Sequence, residues 1–134
     1  AITGAQIRLA IEQCAAVLAV NAAGDIDFSF NVYPNELHPY IYDYWGGVDY
    51  TLNLSKPIGQ RIEQLTVKGT PLEDTKTYRV VMNSYRATGV EFPMFQQQPC
   101  LFESDEILPA IIMNHIQKRQ TIHYISHGTI TITV

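Results

Sequence analysis

Cations, cysteines and long apolar runs are all scarce in this chain. Nine Lys and Arg stand against thirteen Asp and Glu, giving a formal net charge of −4. That balance argues against a nucleic-acid polymer as partner, because sequence-independent binding relies on Lys and Arg to neutralise phosphates. It does not argue against a single nucleotide, where one or two local cations suffice. Two cysteines, Cys14 and Cys100, make no disulfide framework in 134 residues. Cys14 falls on the apolar side of an expected helix and reads as a buried free thiol. No run approaches the ~20 apolar residues of a transmembrane helix, so no transmembrane segment is expected. Nor is there an internal repeat, a low-complexity tract, a linker or a signal-peptide pattern. What remains is 46% hydrophobic and 16% charged residues, the balance of one globular domain with one sizeable core.

Along the chain, Thr3-Gly4-Ala5-Gln6 reads as a capping box. Ile7, Ala10, Ile11, Cys14, Val17 and Leu18 then recur at helical spacing. The expected helix runs from about Gly4 to Ala19, ended by Asn21–Asp25, with residues 25–39 irregular. From Tyr40 the chain reads as β. Val48, Tyr50, Leu52 and Leu54 alternate with Asp49, Thr51, Asn53 and Ser55, a half-buried strand. Lys56–Gly59 is a turn, and Arg61–Val67 a second strand. Residues 77–83 carry apolar side chains on both faces and read as a buried strand. Ser104 or Asp105 is the expected cap of a second helix through roughly Lys118, and Pro109 places its start nearer Leu108. Ile130, Ile132 and Val134 form a last alternating strand. This order predicts an α+β domain: a mixed, mainly antiparallel sheet with two packed helices.

Five of eight tyrosines, Tyr33, Tyr40, Tyr42, Tyr44 and Tyr50, fall within eighteen residues, with Trp45 among them. In an extended chain Tyr40, Tyr42 and Tyr44 point to one face and Trp45 to the other. Gly46-Gly47 lets a backbone or a ligand come close. A tyrosine is a flat apolar ring with a polar tip, suited to gripping a flat polar molecule. Ordinary cross-strand packing is the plainer account of any one of these rings. A second candidate region is "NSYRATG", residues 83–89, at the end of the strand over 77–83. There Asn83 satisfies a strand end or meets a base edge. Arg86 reads first as solvated surface, with pairing to an acid or to a nucleotide as alternatives.

Residues 46–89, "GGVDYTLNLSKPIGQRIEQLTVKGTPLEDTKTYRVVMNSYRATG", resemble the C-terminal domain of the 5′-nucleotidase family. The likeness is strongest to the secreted bacterial branch that acts on 2′,3′-cyclic nucleotides and 3′-nucleotides. "TGAQIRLAIEQ" and the helix around residues 105–118 match that domain's order of parts. The resemblance implies a two-domain parent enzyme, extracellular, periplasmic or cell-wall associated. Its N-terminal metallophosphoesterase domain would hold two divalent metal ions and do the chemistry. Its C-terminal domain would bind the nucleoside or nucleotide with the base between two aromatic rings. On that mapping one ring is Tyr85 and the other Tyr42, with Tyr40 and Tyr44 as alternates. The family's acidic position after the Gly-rich turn falls on Glu91, where Asp is usual, and one of that turn's two glycines is replaced by Val90. Neither an "NGGGIR"-like stretch nor a D-x-H or G-N-H-[DE] pattern occurs here. Residues 1–134 therefore read as a single domain, the latter part of the nucleoside-binding domain, with no catalytic or metal-ligating residue of its own.

Other constellations are weaker. His123 and His127 are four apart but in a Thr-rich, β-like context, where that spacing makes no ligand pair; His115 reads as incidental. Asp105-Glu106 reads as first-turn charge of a helix. Ser84 lacks a nucleophile elbow. The rival reading is a non-catalytic carbohydrate-binding module with Tyr42, Trp45 and Tyr85 as its platform. The capped helix near the start disfavours it, since such modules are usually all-β.

Overall fold

The computed structural model describes residues 1–29, 41–125 and 127–134. Tyr33 and the alternate site residue Tyr40 lie outside them. Strand β1 (Ile2–Thr3) leads into helix α1 (Gly4–Ala15) through the expected capping box. The Thr3 hydroxyl accepts from the Gln6 backbone N–H, and the Gln6 carboxamide accepts from the Thr3 N–H at 2.7 Å. Two further first-turn donors go to a neighbouring loop, Gly4 N–H to the Lys76 carbonyl and Ala5 N–H to the Asp74 carbonyl, both at 2.9 Å. Gly4 is required by this approach: a Cβ there would collide with the Glu73 carbonyl.

The helix ends four residues earlier than its apolar periodicity suggests. Leu18–Val20 instead forms strand β2, paired antiparallel with β3 (Ile26–Phe28). Two local causes favour the hairpin. The Asn21 side chain accepts from the Ala23 and Asp25 N–H groups and shapes the turn. The Arg61 guanidinium donates to the carbonyls of Ala15 and Leu18, closing the helix C-terminus with a cation. Residues 26–28, expected to be irregular, are thus part of a strand.

The main sheet is built from β4 (Asp49–Asn53), β5 (Ile62–Val67), β6 (Thr70–Pro71) and β8 (Ile130–Thr133), in the spatial order β6-β5-β4-β8. The β4–β5 and β5–β6 pairs are antiparallel, while β8 runs parallel to β4. The expected α+β class, mixed and mainly antiparallel, holds. Alternation does its work in β4: Tyr50 and Leu52 are buried while Asp49, Thr51 and Asn53 are half-buried. The core joins that face to Ile7, Ala10, Ile11 and Cys14 of α1 and to Trp45, Phe92 and Phe95. Glu12, also buried, accepts from the backbone N–H groups of Arg61 (3.0 Å) and Ile62 (2.7 Å), tying the helix to the start of β5.

Three expectations are corrected. The chain over 41–48 is not a strand; pairing in this region begins at Asp49. Parity along "YIYDYW" therefore does not sort the rings: Ile41 and Trp45 are buried, Tyr42 is half-buried and Tyr44 exposed. Over 77–83 only β7 (Thr77–Tyr78) forms a ladder, with β1. Tyr78, Val80 and Met82 pack on the core, but Val81 is 99% exposed. A strand is buried on both faces only where something covers the second, and among the described residues nothing covers Val81. Finally, α3 (Leu108–Arg119) starts at Leu108 as its proline requires, but neither Ser104 nor Asp105 caps it; its N-cap is Ile107, with no side-chain bond. None of its residues is buried, so of the two expected helices only α1 contributes to the core.

Candidate functional site

The strand-end sequence "NSYRATG" folds into a short helix, α2 (Ser84–Ala87), rather than continuing the strand. Asn83 is its N-cap: the Asn83 Oδ1 accepts from the Arg86 N–H at 2.7 Å. Capping turns Tyr85 outward, 46% exposed, and Arg86 inward. The backbone then passes through Gly89 at φ +78° and Glu91 at φ +63°. A Cβ at Gly89 would clash with the side chain of Gln96 and lie 2.9 Å from its backbone nitrogen. Glu91 keeps a left-handed conformation that costs a non-glycine residue about 1–2 kcal/mol. Its carbonyl is held by the Gln13 carboxamide, and its Oε2 is buried with no hydrogen-bond partner in the protein.

Arg86 is not solvated surface. Its side chain is 8% exposed and makes a two-pronged ion pair with Asp43: Nε to Oδ2 at 2.7 Å and Nη2 to Oδ1 at 2.9 Å. The guanidinium carbon also lies 4.2 Å from the centroid of the Phe92 ring, a cation–π contact, and 5.9 Å from that of Tyr85. Phe92 in turn stacks on Phe95 at 5.5 Å. Asp43 sits between Tyr42 and Tyr44, so the pair brings the Tyr-rich segment and α2 together.

Asp43 and Arg86 both line a groove of about 550 Å³ between residues 43–48 and the extended run 78–83. Asn83 and Tyr44 also line it; Tyr42, Tyr85 and Glu91 do not. The Tyr44 hydroxyl donates to the Gly128 carbonyl at 3.3 Å. Tyr42 meets the Phe28 ring edge-on at 5.5 Å, and burial raises its phenol pKa above the ordinary value of 10.0. Trp45 also lines the groove, but it is 8% exposed and packs on Phe95, so little of its ring is presented as the sugar platform of the rival reading. Among the described residues no group of three or more His, Cys, Asp and Glu side chains could hold a metal ion, and no helix is long and apolar enough to cross a membrane. Reading the sequence alone missed Asp43. Its signal was an acid within a run of rings, "YDYW", whose partner lies 43 positions away.

A mixed sheet, a helix packed on one face and a ring-bearing loop over a groove define a small α+β domain. The family model for the 5′-nucleotidase C-terminal domain matches residues 1–97, and the chain belongs to that family. A protein assigned as a 5′-nucleotidase from Staphylococcus aureus, solved with α-ketoglutarate, matches 99% of this chain at 22% identity with a TM-score of 0.88. A 5′-nucleotidase precursor from Thermus thermophilus matches 98% at 22% identity with a TM-score of 0.68. This chain spans about a quarter of each of those structures, 26% and 24%. At such identity the two likenesses establish the fold. No curated protein matches the sequence significantly.

Proposed function

We propose that residues 1–134 are the latter part of the substrate-binding domain of a 5′-nucleotidase-family phosphohydrolase and hold the nucleoside by stacking its base. The observation that carries this reading is Tyr85: in a member of that family, an exposed ring stands on a capped turn, tied through Arg86 and Asp43 to the segment bearing Tyr42 and Tyr44. Tyr85 is one face of the clamp and Tyr42 the other, with Tyr44 and Tyr40 as alternates. Asn83 and Glu91 are polar contacts: Asn83 keeps its amide NH2 available beside the groove, and Glu91 has an unpaired carboxylate oxygen.

Catalysis would reside in an N-terminal metallophosphoesterase domain with two divalent ions, in a secreted parent. Within the family, the "NSYRATG" and "GGVDY" stretches favour the branch acting on 2′,3′-cyclic nucleotides. In the parent, Tyr85→Ala is expected to cost about 1–3 kcal/mol of binding, roughly five- to 150-fold in affinity. The loss should fall on KM rather than kcat, because the ring touches ground and transition states alike. Tyr85→Phe should cost much less, since a flat ring remains. Steady-state kinetics with AMP and 2′,3′-cyclic AMP reads both effects and the branch. Equal, negligible changes for Ala and Phe would remove Tyr85 from the site.

A further inference from the structure

We propose that Asp43 and Arg86 are a positioning pair for the ligand's aromatic base: their fork holds the Tyr42–Tyr44 segment at a set distance from Tyr85 and so fixes the gap in which a ring can stack. This rests on the stacking reading above.

Three observations converge on the pair. First, it is anchored at both ends. The Arg86 backbone is held by the Asn83 cap and its guanidinium lies against Phe92, while Asp43 stands between the buried Ile41 and Trp45, two residues away on either side. Second, the bond is two-pronged and largely out of water, with side-chain exposures of 8% and 33%. A fork fixes orientation as well as distance, which a single contact does not. Third, residues 41–45 lie outside any strand, and among the described residues no backbone hydrogen bond joins them to residues 83–89. No backbone ladder ties the two ring-bearing segments to each other, and this pair is a charged contact that joins them directly. Stacking is sensitive to that placement. A radial gap of about 0.5–1 Å forfeits a quarter to a half of a dispersion contact. Lysine at position 86 would keep the charge but not the fork.

The test uses the full-length parent with AMP and 2′,3′-cyclic AMP as probes. Asp43→Asn and Arg86→Lys are each made alone and on a Tyr85→Ala background. Each single variant is expected to raise KM about fivefold or more with kcat within about twofold. On the Tyr85→Ala background the same changes should raise KM less than about twofold, because the contact they position is already gone. Two results overturn the proposal: folded single variants with unchanged KM, or the same factor on both backgrounds, which would mean that the pair only supports the fold. Should Asp43→Asn fail to fold, Arg86→Lys alone decides, since it retains the charge. If Tyr85→Ala itself leaves KM unchanged, the stacking reading fails and takes this proposal with it. If Tyr85→Ala raises KM while the pair variants do not, only the positioning role fails.

Discussion

Burial separates the two thiols of this chain, although both are free. Cys14 lies in the core, donates to the Ile41 carbonyl at 3.4 Å and has its pKa pushed up to about 11 by desolvation. Cys100 is exposed. A thiolate-selective reagent at pH 8 should therefore modify one cysteine per folded chain quickly and the second only on unfolding, as mass spectrometry of labelled protein would show. Because the folded pKa exceeds the reference 9.0, the neutral thiol favours the folded state. That contribution is complete below about pH 9 and lost as pH rises towards 11. A urea midpoint falling over that window, with a smaller fall in Cys14→Ala, is the expected result. The buried thiol was legible from helical spacing alone. The burial of Trp45 was not: its environment is set by Phe95, fifty residues on, and by the absence of a strand over 41–48.

At the scale of elements, α1 and α3 have the same length of twelve residues and opposite circumstances. α1 has a capping box, a buried apolar face, and Glu12 and Arg61 exchanging bonds with the chain around it. Glu12→Ala leaves the Arg61 and Ile62 N–H groups without their acceptor. Each unsatisfied buried group costs about 1–3 kcal/mol, so a loss of at least about 2 kcal/mol is expected in chemical denaturation. Glu12→Gln, which keeps one acceptor oxygen, should lose less. α3 has no side-chain cap and buries nothing. Isolated helices of this length are marginal in water. Amide hydrogens of residues 112–119 should exchange far faster than those of residues 8–15, and comparable protection in this chain would contradict the packing described here. Sequence period announced both helices, but packing is what distinguishes them. Period also carried α1 past Ala15, where the Asn21 turn and the Arg61 guanidinium divert the chain into β2.

For the whole molecule, the parallel β4–β8 pair returns the end of the described chain to the edge of the main sheet, next to β4, and the groove opens between residues 43–48 and 78–83. The purified 134-residue chain should hydrolyse neither nucleoside monophosphates nor 2′,3′-cyclic nucleotides with added Mn²⁺ or Zn²⁺, because two-metal phosphoryl chemistry needs a ligand cage. Metal-dependent phosphate release above a mock preparation would overturn that. The sequence by itself determined the α+β class, the capped first helix, the alternating strand β4 and the family, because each depends on local spacing or on ordered motifs within a short stretch. Tertiary structure alone decided that Trp45 is core, that Val81 lies uncovered and that Arg86 pairs with Asp43. Each of those depends on which distant side chain arrives at the same place, and the approach of residue 43 to residue 86 is a property of the folded chain rather than of either segment.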